Sequence, residues 1–300
     1  MTGLISSEFR KTTTTSLWWA LLIPAVLAGF VWAWATSASG LTSELAELSF
    51  IRLPLESLED VTWGLIPLAR GFNIASTFPM LFGALAMTTE LSRRTITTTF
   101  LTAPSRLAVI GAKSAVYAVW GLVYGLFISV AASVGLLVGS PERELPSAGD
   151  WLLVVFAGLL ACMLWTLLGL GFGALIGSPV GAVLVLLGYV LVVGPVLETV
   201  LTFNEDPSVA LIAGALPGGA GNGITGGTVV SILLDQVQGL AAVDGTVISE
   251  ARLDLARLVL TLVAGSPGAF AGWLSVLVFL GWALLALGAG WLRTKSRDIT

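Results

Sequence analysis

Apolar residues along this chain gather into six long stretches, near 17–36, 66–88, 108–138, 151–176, 180–201 and 269–292. A helix needs about 20 mostly apolar residues to cross the hydrocarbon core, so each stretch predicts one transmembrane helix. The third is longer than one span requires, which predicts a tilt or a cytoplasmic extension near Lys113. The first follows Arg10 and Lys11 and precedes the small residues Ala35, Thr36, Ser37 and Ala38, as a secretory signal does. Its apolar part, Leu17 to Ala35, exceeds the roughly 7 to 15 residues of a signal core, and an uncleaved first helix is expected.

The text between the stretches is unequal. Residues 37–65 form an acidic outer loop carrying Glu44, Glu47, Glu56, Glu59 and Asp60, whereas the fourth and fifth stretches are joined by little more than Gly177, Ser178 and Pro179. Segment 202–268 is the longest connection. Within it Val229, Leu233, Val237 and Leu240 recur at helical spacing opposite Asp235, Gln236 and Gln238. A second amphipathic run covers Ser249 to Val263, with Leu253, Ala256, Leu260 and Val263 on one face. Neither is expected to span. The glycine-rich text Pro217-Gly218-Gly219-Ala220-Gly221-Asn222-Gly223 is expected to break any helix through it. Short helices lying on or dipping into the outer membrane face follow from this. At the start of the chain, residues 1–16 predict an interfacial helix with Leu4, Ile5 and Phe9 on lipid and Arg10 and Lys11 at headgroups, or else a frayed tail.

Composition agrees with lipid as the solvent: 56% of the 300 residues are hydrophobic, 11% are charged, and the mean hydropathy is +0.95. The basic residues set the orientation. Six spans with the N-terminus inside gather Arg10, Lys11, Arg93, Arg94, Arg106, Lys113, Arg293, Lys295 and Arg297 on the cytoplasmic side, against only Glu8, Glu90 and Asp298. The outer side keeps Arg52, Arg70, Arg143, Arg252 and Arg257 among most of the acids. An odd number of spans would put one basic terminus outside. The fold class expected is therefore an all-α polytopic membrane protein, residues 1–300 as one domain. It has six transmembrane helices, cytoplasmic N and C termini, and short re-entrant or interfacial helices between spans five and six.

Candidate chemistry is sparse. There is no histidine, which removes the commonest metal ligand and neutral-pH proton carrier. Cys162 is the single cysteine, so no intrachain disulfide forms. Gly111-Ala112-Lys113-Ser114 lacks the adjacent Gly-Lys of a phosphate-binding loop, and Gly171 and Gly173 are followed by Ile176 where a dinucleotide fingerprint needs glycine. The spacing of Gly121 and Gly125, and of Gly173, Gly177 and Gly181, instead suits close helix packing. Glu198 and Arg70 fall near outer span ends, where snorkelling to the interface accounts for them. With no acid or base at a span centre, a proton- or sodium-coupled secondary transporter is disfavoured.

The most distinctive text is the inner loop 89–107: Thr88-Thr89-Glu90-Leu91-Ser92-Arg93-Arg94-Thr95-Ile96, three threonines, Phe100-Leu101-Thr102-Ala103-Pro104-Ser105-Arg106, then Ala112-Lys113. Glu90 is spaced to pair with Arg93 or Arg94, and Pro104 redirects the chain toward the third span. An acid, arginines, Thr-Ile, Phe-Leu, Pro-Ser-Arg and a following Ala-Lys resemble the cytoplasmic loop of type-2 ABC transporter permeases. The likeness of motif covers about residues 83–113, and that of topology the whole chain; Thr97 to Thr99 depart from the pattern by making the loop more polar.

The resemblance implies a permease domain without a nucleotide site of its own, and so no enzyme. Its coupling helix docks on a separate ATPase subunit that carries ATP and Mg. Glu90, Arg93, Arg94, Thr95 and Ile96 would meet that subunit, and Pro104 and Arg106 would fix the return into the membrane. Further implied partners are a second permease chain, identical or not, and membrane lipid, with no role for nucleic acid. The expected activity is export across the cytoplasmic membrane of a hydrophobic or amphipathic cargo such as a drug, lipid or peptide. The competing readings are a non-transporting scaffold or assembly protein, using the acidic outer loops, and a membrane enzyme, which the missing histidine handicaps.

Overall fold

Helix ends in this chain are written in short polar signals, and the computed structural model, which describes residues 2–39, 61–93, 105–140, 145–243, 245 and 247–296, uses them. The first two helices are α1 (Thr2–Thr14) and α2 (Leu17–Ala38). Next come α3 (Leu65–Ala75) and α4 (Thr77–Ser92), which form one continuous apolar rod. Ser105 caps α5 (Arg106–Gly139) by accepting from the Ala108 N–H at 3.1 Å, and Ser147 caps α6 (Ala148–Ile176) through the Asp150 N–H at 3.1 Å. Gly177 then turns the chain at φ +74, a conformation open to glycine, and Ser178 with Pro179 starts α7 (Pro179–Gly188) at once.

A π-helical turn, Tyr189–Val193, joins α7 to α8 (Gly194–Thr202). The chain continues as α9 (Pro207–Ala215), α10 (Pro217–Val243), α11 (Glu250–Val263) and α12 (Gly272–Ser296). No strand occurs among the described residues. The acids Glu44, Glu47, Glu56, Glu59 and Asp60, and Arg94, Thr95, Ile96 and Pro104 of the inner loop, lie outside the described residues.

Close backbone contacts fix the direction of each rod. A Cβ at Gly83 would collide with the Thr166 carbonyl, one at Gly169 with Met80 and one at Gly173 with Ala84, so α4 and α6 run side by side in the same direction. Gly121 against Met163 and Gly125 against Leu159 make α5 antiparallel to α6. Trp165 packs on Phe279 and Gly171 on Ala286, so α12 runs with α6. Gly29 meets Ile128 while Gly139 meets Ser37, which sets α2 parallel to α5. Of the glycines expected at helix contacts, Gly121, Gly125 and Gly173 sit at such contacts. Gly177 is the left-handed cap of α6 and Gly181 lies against Ile176 and Ser178 in the turn that follows.

The structure departs most from expectation between 202 and 268. The glycine-rich text does not break the helix: α10 runs unbroken through it for 27 residues, and it is one of seven helices among the described residues that are long and apolar enough to cross a membrane. Each glycine in a helix costs about 1 kcal/mol against alanine, but those from Gly218 to Gly227 each admit a close neighbour. Gly221 lies on the Trp165 indole, Gly223 and Gly226 on Ser275 and Ser266, and Gly227 on the Phe270 carbonyl.

The α9–α10 hairpin turns at Leu216, where the Trp282 indole N–H donates to the Ala215 carbonyl at 2.8 Å, well inside the bundle. At nine residues, about 14 Å, α9 is too short to cross. The chain then returns to where it left, with Thr202 against Gly268. The amphipathic run that was expected from Ser249 forms α11, with Ala256 and Leu260 buried.

Snorkelling, the expectation for Arg70 and Glu198, is also overturned. Arg70 turns inward and its Nε donates to Val263 O at 2.6 Å, capping the carbonyl end of α11. Asn73 extends this link, donating to Ala264 O at 3.1 Å and accepting from the Thr225 hydroxyl at 2.6 Å. Gln236 accepts from Thr62 at 2.9 Å and donates to Asp150 at 3.2 Å. Buried polar groups are thus paired across α3, α6, α10 and α11. Glu198 is only 2% exposed, packed beneath the start of α10.

If the close α4–α6 seam holds the bundle, Gly169→Ala will lower stability by about 1–3 kcal/mol through overpacking. Gly111→Ala, at a helical glycine with open space around it, will be neutral or slightly stabilising. Thermal unfolding in detergent compares the two, and equal melting points would discard the seam.

Candidate functional site

The C-terminal end of α4, the N-terminal end of α5 and the amphipathic α1 meet in one charge cluster. Helix α1 has apolar Leu4, Ile5 and Phe9 along one flank and Glu8 and Lys11 one turn apart on another. Ile5 and Phe9 remain exposed, the Phe9 ring stacking on Trp120 of α5 at 5.9 Å. That contact places Glu8 over Lys113, a residue that lies two turns into α5 and is only 1% exposed.

Lys113 Nζ donates to Glu8 Oε2 at 2.6 Å and to Glu90 Oε1, near the end of α4, at 2.8 Å. Lys11 Nζ completes the group, 2.6 Å from Glu8 Oε1 and 3.8 Å from Glu90 Oε1. Two carboxylates and two ammonium groups therefore balance. Glu8 is 2% exposed, and burial by itself would raise its pKa; the Lys113 and Lys11 charges and their hydrogen bonds outweigh that and hold it below its ordinary 4.5.

An aromatic layer underlies the charges. Lys113 Nζ sits 5.5 Å from the Tyr117 ring centroid, and the Thr12 hydroxyl donates to Tyr117 Oη at 3.4 Å. Phe82 of α4 packs on Tyr117 at 5.1 Å and on Tyr124 at 5.2 Å, and the Tyr124 hydroxyl donates to Trp18 O at 2.6 Å. Rigid rings leave the Lys113 stem no alternative course. The N-terminal helix, both helices flanking the inner loop and the first span are thereby tied into one unit.

The expected site residues divide as follows. Glu90 meets Lys113 and Lys11 from other helices, because α5 returns beside α4 and brings Lys113 level with it; of the two arginines that the spacing offered to Glu90, Arg94 lies outside the described residues. Arg93 is the exposed C-cap of α4, its N–H donating to Thr89 O at 3.1 Å, and Arg106 opens α5. Glu8 and Lys11 were missed as members of the site. The signal for them was slight: an acid and a base at i, i+3 beside an apolar flank. Among the described residues no three His, Cys, Asp or Glu side chains gather as metal ligands.

Removing one member of a buried ion pair strands the other at about 3–5 kcal/mol. Lys113→Met should therefore destabilise the protein by about 3 kcal/mol or more, and adding Glu8→Gln should recover part of the loss. Because the Glu8 pKa is depressed on folding, its contribution is complete above 4.5 and disappears as pH falls through its lower folded value. Amide exchange in α1 should accelerate across that acid range in the wild type and not in Glu8→Gln. A flat wild-type profile would count against the latch.

No family model matches this chain and no curated protein matches it, so its function rests on the geometry of these residues.

Proposed function

We propose that this chain is the membrane-spanning permease subunit of an ATP-binding cassette exporter of the type-2 class. A separate ATPase subunit hydrolyses ATP, and the permease couples that hydrolysis to export across the cytoplasmic membrane. The observation that carries the reading is the Lys113 ion cluster, which binds α1 to the helix ends on both sides of segment 94–104. A push on that segment reaches α1, α4 and α5 together, because separating them would uncover charge in a dry site.

Six spans with both termini in the cytoplasm are supported by the alternation of helix directions. The rods α2, α3–α4, α5 and α6 alternate, α7 starts at the end where α6 stops, and α12 runs with α6. Thr202 against Gly268 makes the α9–α11 excursion leave and return on one side, so α10, although long and apolar, is read as re-entrant. Arg10, Lys11, Arg93, Arg106, Arg293 and Lys295 then share one end, the arrangement that the positive-inside rule assigns to the cytoplasm.

The mechanism is a population shift. ATP draws two ATPase subunits together, each carries the coupling segment docked on it, and the attached spans exchange inward-open for outward-open states. Two permease chains complete such a machine, with ATP and Mg held on the ATPase subunits.

Two measurements test this. In a Cys162→Ser background, Arg93→Cys should react with an impermeant thiol reagent only from the cytoplasmic side. Replacing 94–104 by a Gly-Ser linker of equal length should cut co-purification of a Walker-motif ATPase by about tenfold or more, about 1.4 kcal/mol of binding. Labelling from outside alone, or unchanged co-purification, overturns the assignment.

A further inference from the structure

Glu198 stands apart from the inner cluster, in the apolar segment α7–α8. It is 2% exposed, and its Oε1 is buried with no hydrogen-bond partner. That oxygen points at the N-terminus of α10: a Cβ at Gly218 would collide with it, and it lies 3.4 Å from where a Cβ on Gly194 would stand. The Gly218 N–H itself donates to Tyr189 Oη at 3.2 Å. Tyr189 opens the π-helical turn that precedes α8, an irregularity that recurs at functional sites. One turn further along α10, beside Gly221, the Trp165 indole N–H is also buried without a partner.

Among the described residues no cation is paired with this acid. The π turn contributes only Tyr189 as a titratable group, α9 carries no charge, and the single charged residue of α10 is Asp235, far along the helix. Two physical terms therefore oppose each other. The partial positive charge at the α10 N-terminus favours the anion, and apolar surroundings charge several kcal/mol for keeping it. Binding a proton removes both terms at once. Its uptake from water on Oε1 neutralises the group and breaks no other covalent bond.

We propose that Glu198 is an intramembrane proton-binding site that latches the re-entrant hairpin: the anion grips the first turn of α10, and the protonated acid releases it. The tip of α9–α10 is also tied by the Trp282 bond to Ala215 and by the Gly218 N–H to Tyr189 Oη, so the Glu198 charge at the first turn of α10 adds to these fixed bonds a hold that depends on protonation. The proposal stands independently of the exporter assignment, since its readouts need neither ATP nor cargo.

The test uses the full chain in lipid nanodiscs, with protons as the probe. Infrared difference spectra from about pH 5 to about pH 9 should show a protonated carboxyl band that titrates in the wild type, is missing in Glu198→Gln, and is kept with a displaced midpoint in Glu198→Asp. Intrinsic-rate-corrected amide exchange at Gly218 to Gly221 should be several-fold faster at the acid end in the wild type and pH-independent in Glu198→Gln. A wild-type spectrum without the band, a band that survives unchanged in both variants, or exchange that ignores pH in the wild type would each overturn the proposal.

Discussion

Close approach of backbones is the constraint on which this molecule depends. In lipid no hydrophobic force drives one apolar helix onto another, so association comes from dispersion contacts and from hydrogen bonds that hydrocarbon cannot replace. Gly83, Gly169 and Gly173 let α4 and α6 approach until side-chain-free backbone meets carbonyl oxygen. That seam fixes the height of Phe82, whose ring supports Tyr117 and Tyr124, and so the height at which Lys113 can meet Glu90. Widening the seam by one methyl group would be felt at the ion cluster as well as in the core.

Charge is rare in the spans and is spent at joints. Lys113 fastens the N-terminal helix to both arms of the inner loop, Arg70 closes the carbonyl end of α11, and Glu198 meets the amide end of α10. Each lies between helices that are separated in sequence, and each carries a different consequence. The Lys113 cluster is balanced and rigid. Arg70 is satisfied by carbonyls. Glu198 alone has neither a counter-charge nor a full set of hydrogen bonds, which makes it the joint whose state a proton can change.

The two ends of the molecule are consequently built for different tasks. At one end the Lys113 ion pairs tie α1, α4 and α5 together. The opposite half contains the α9–α10 hairpin, whose glycines lie directly against Trp165, Ser266, Ser275 and Phe270 and whose Ile224, Val229, Leu233 and Val237 are buried in the core.

Periodicity and composition alone determined the all-helical class and the long apolar rods of a membrane protein, but not that Pro217–Val243 would be one more of them. Ser-Pro and Gly-Ser text determined the α6–α7 turn, because a left-handed glycine followed by a capped proline has few other conformations. Local signals failed where partners distant in the chain decided the outcome. Glycine propensity argued against α10, yet Trp165, Ser266, Ser275 and Phe270 fill the space that those glycines leave open. Spacing offered Glu90 a partner next to it in the chain, and gave no sign of Lys113, which the return of α5 brings to it. Position near a span end suggested that Glu198 reaches for water, but the hairpin folds over it. A sequence carries the cost of placing a charge or a glycine in lipid; only the tertiary structure holds the partner that offsets that cost, because the partner arrives from another helix.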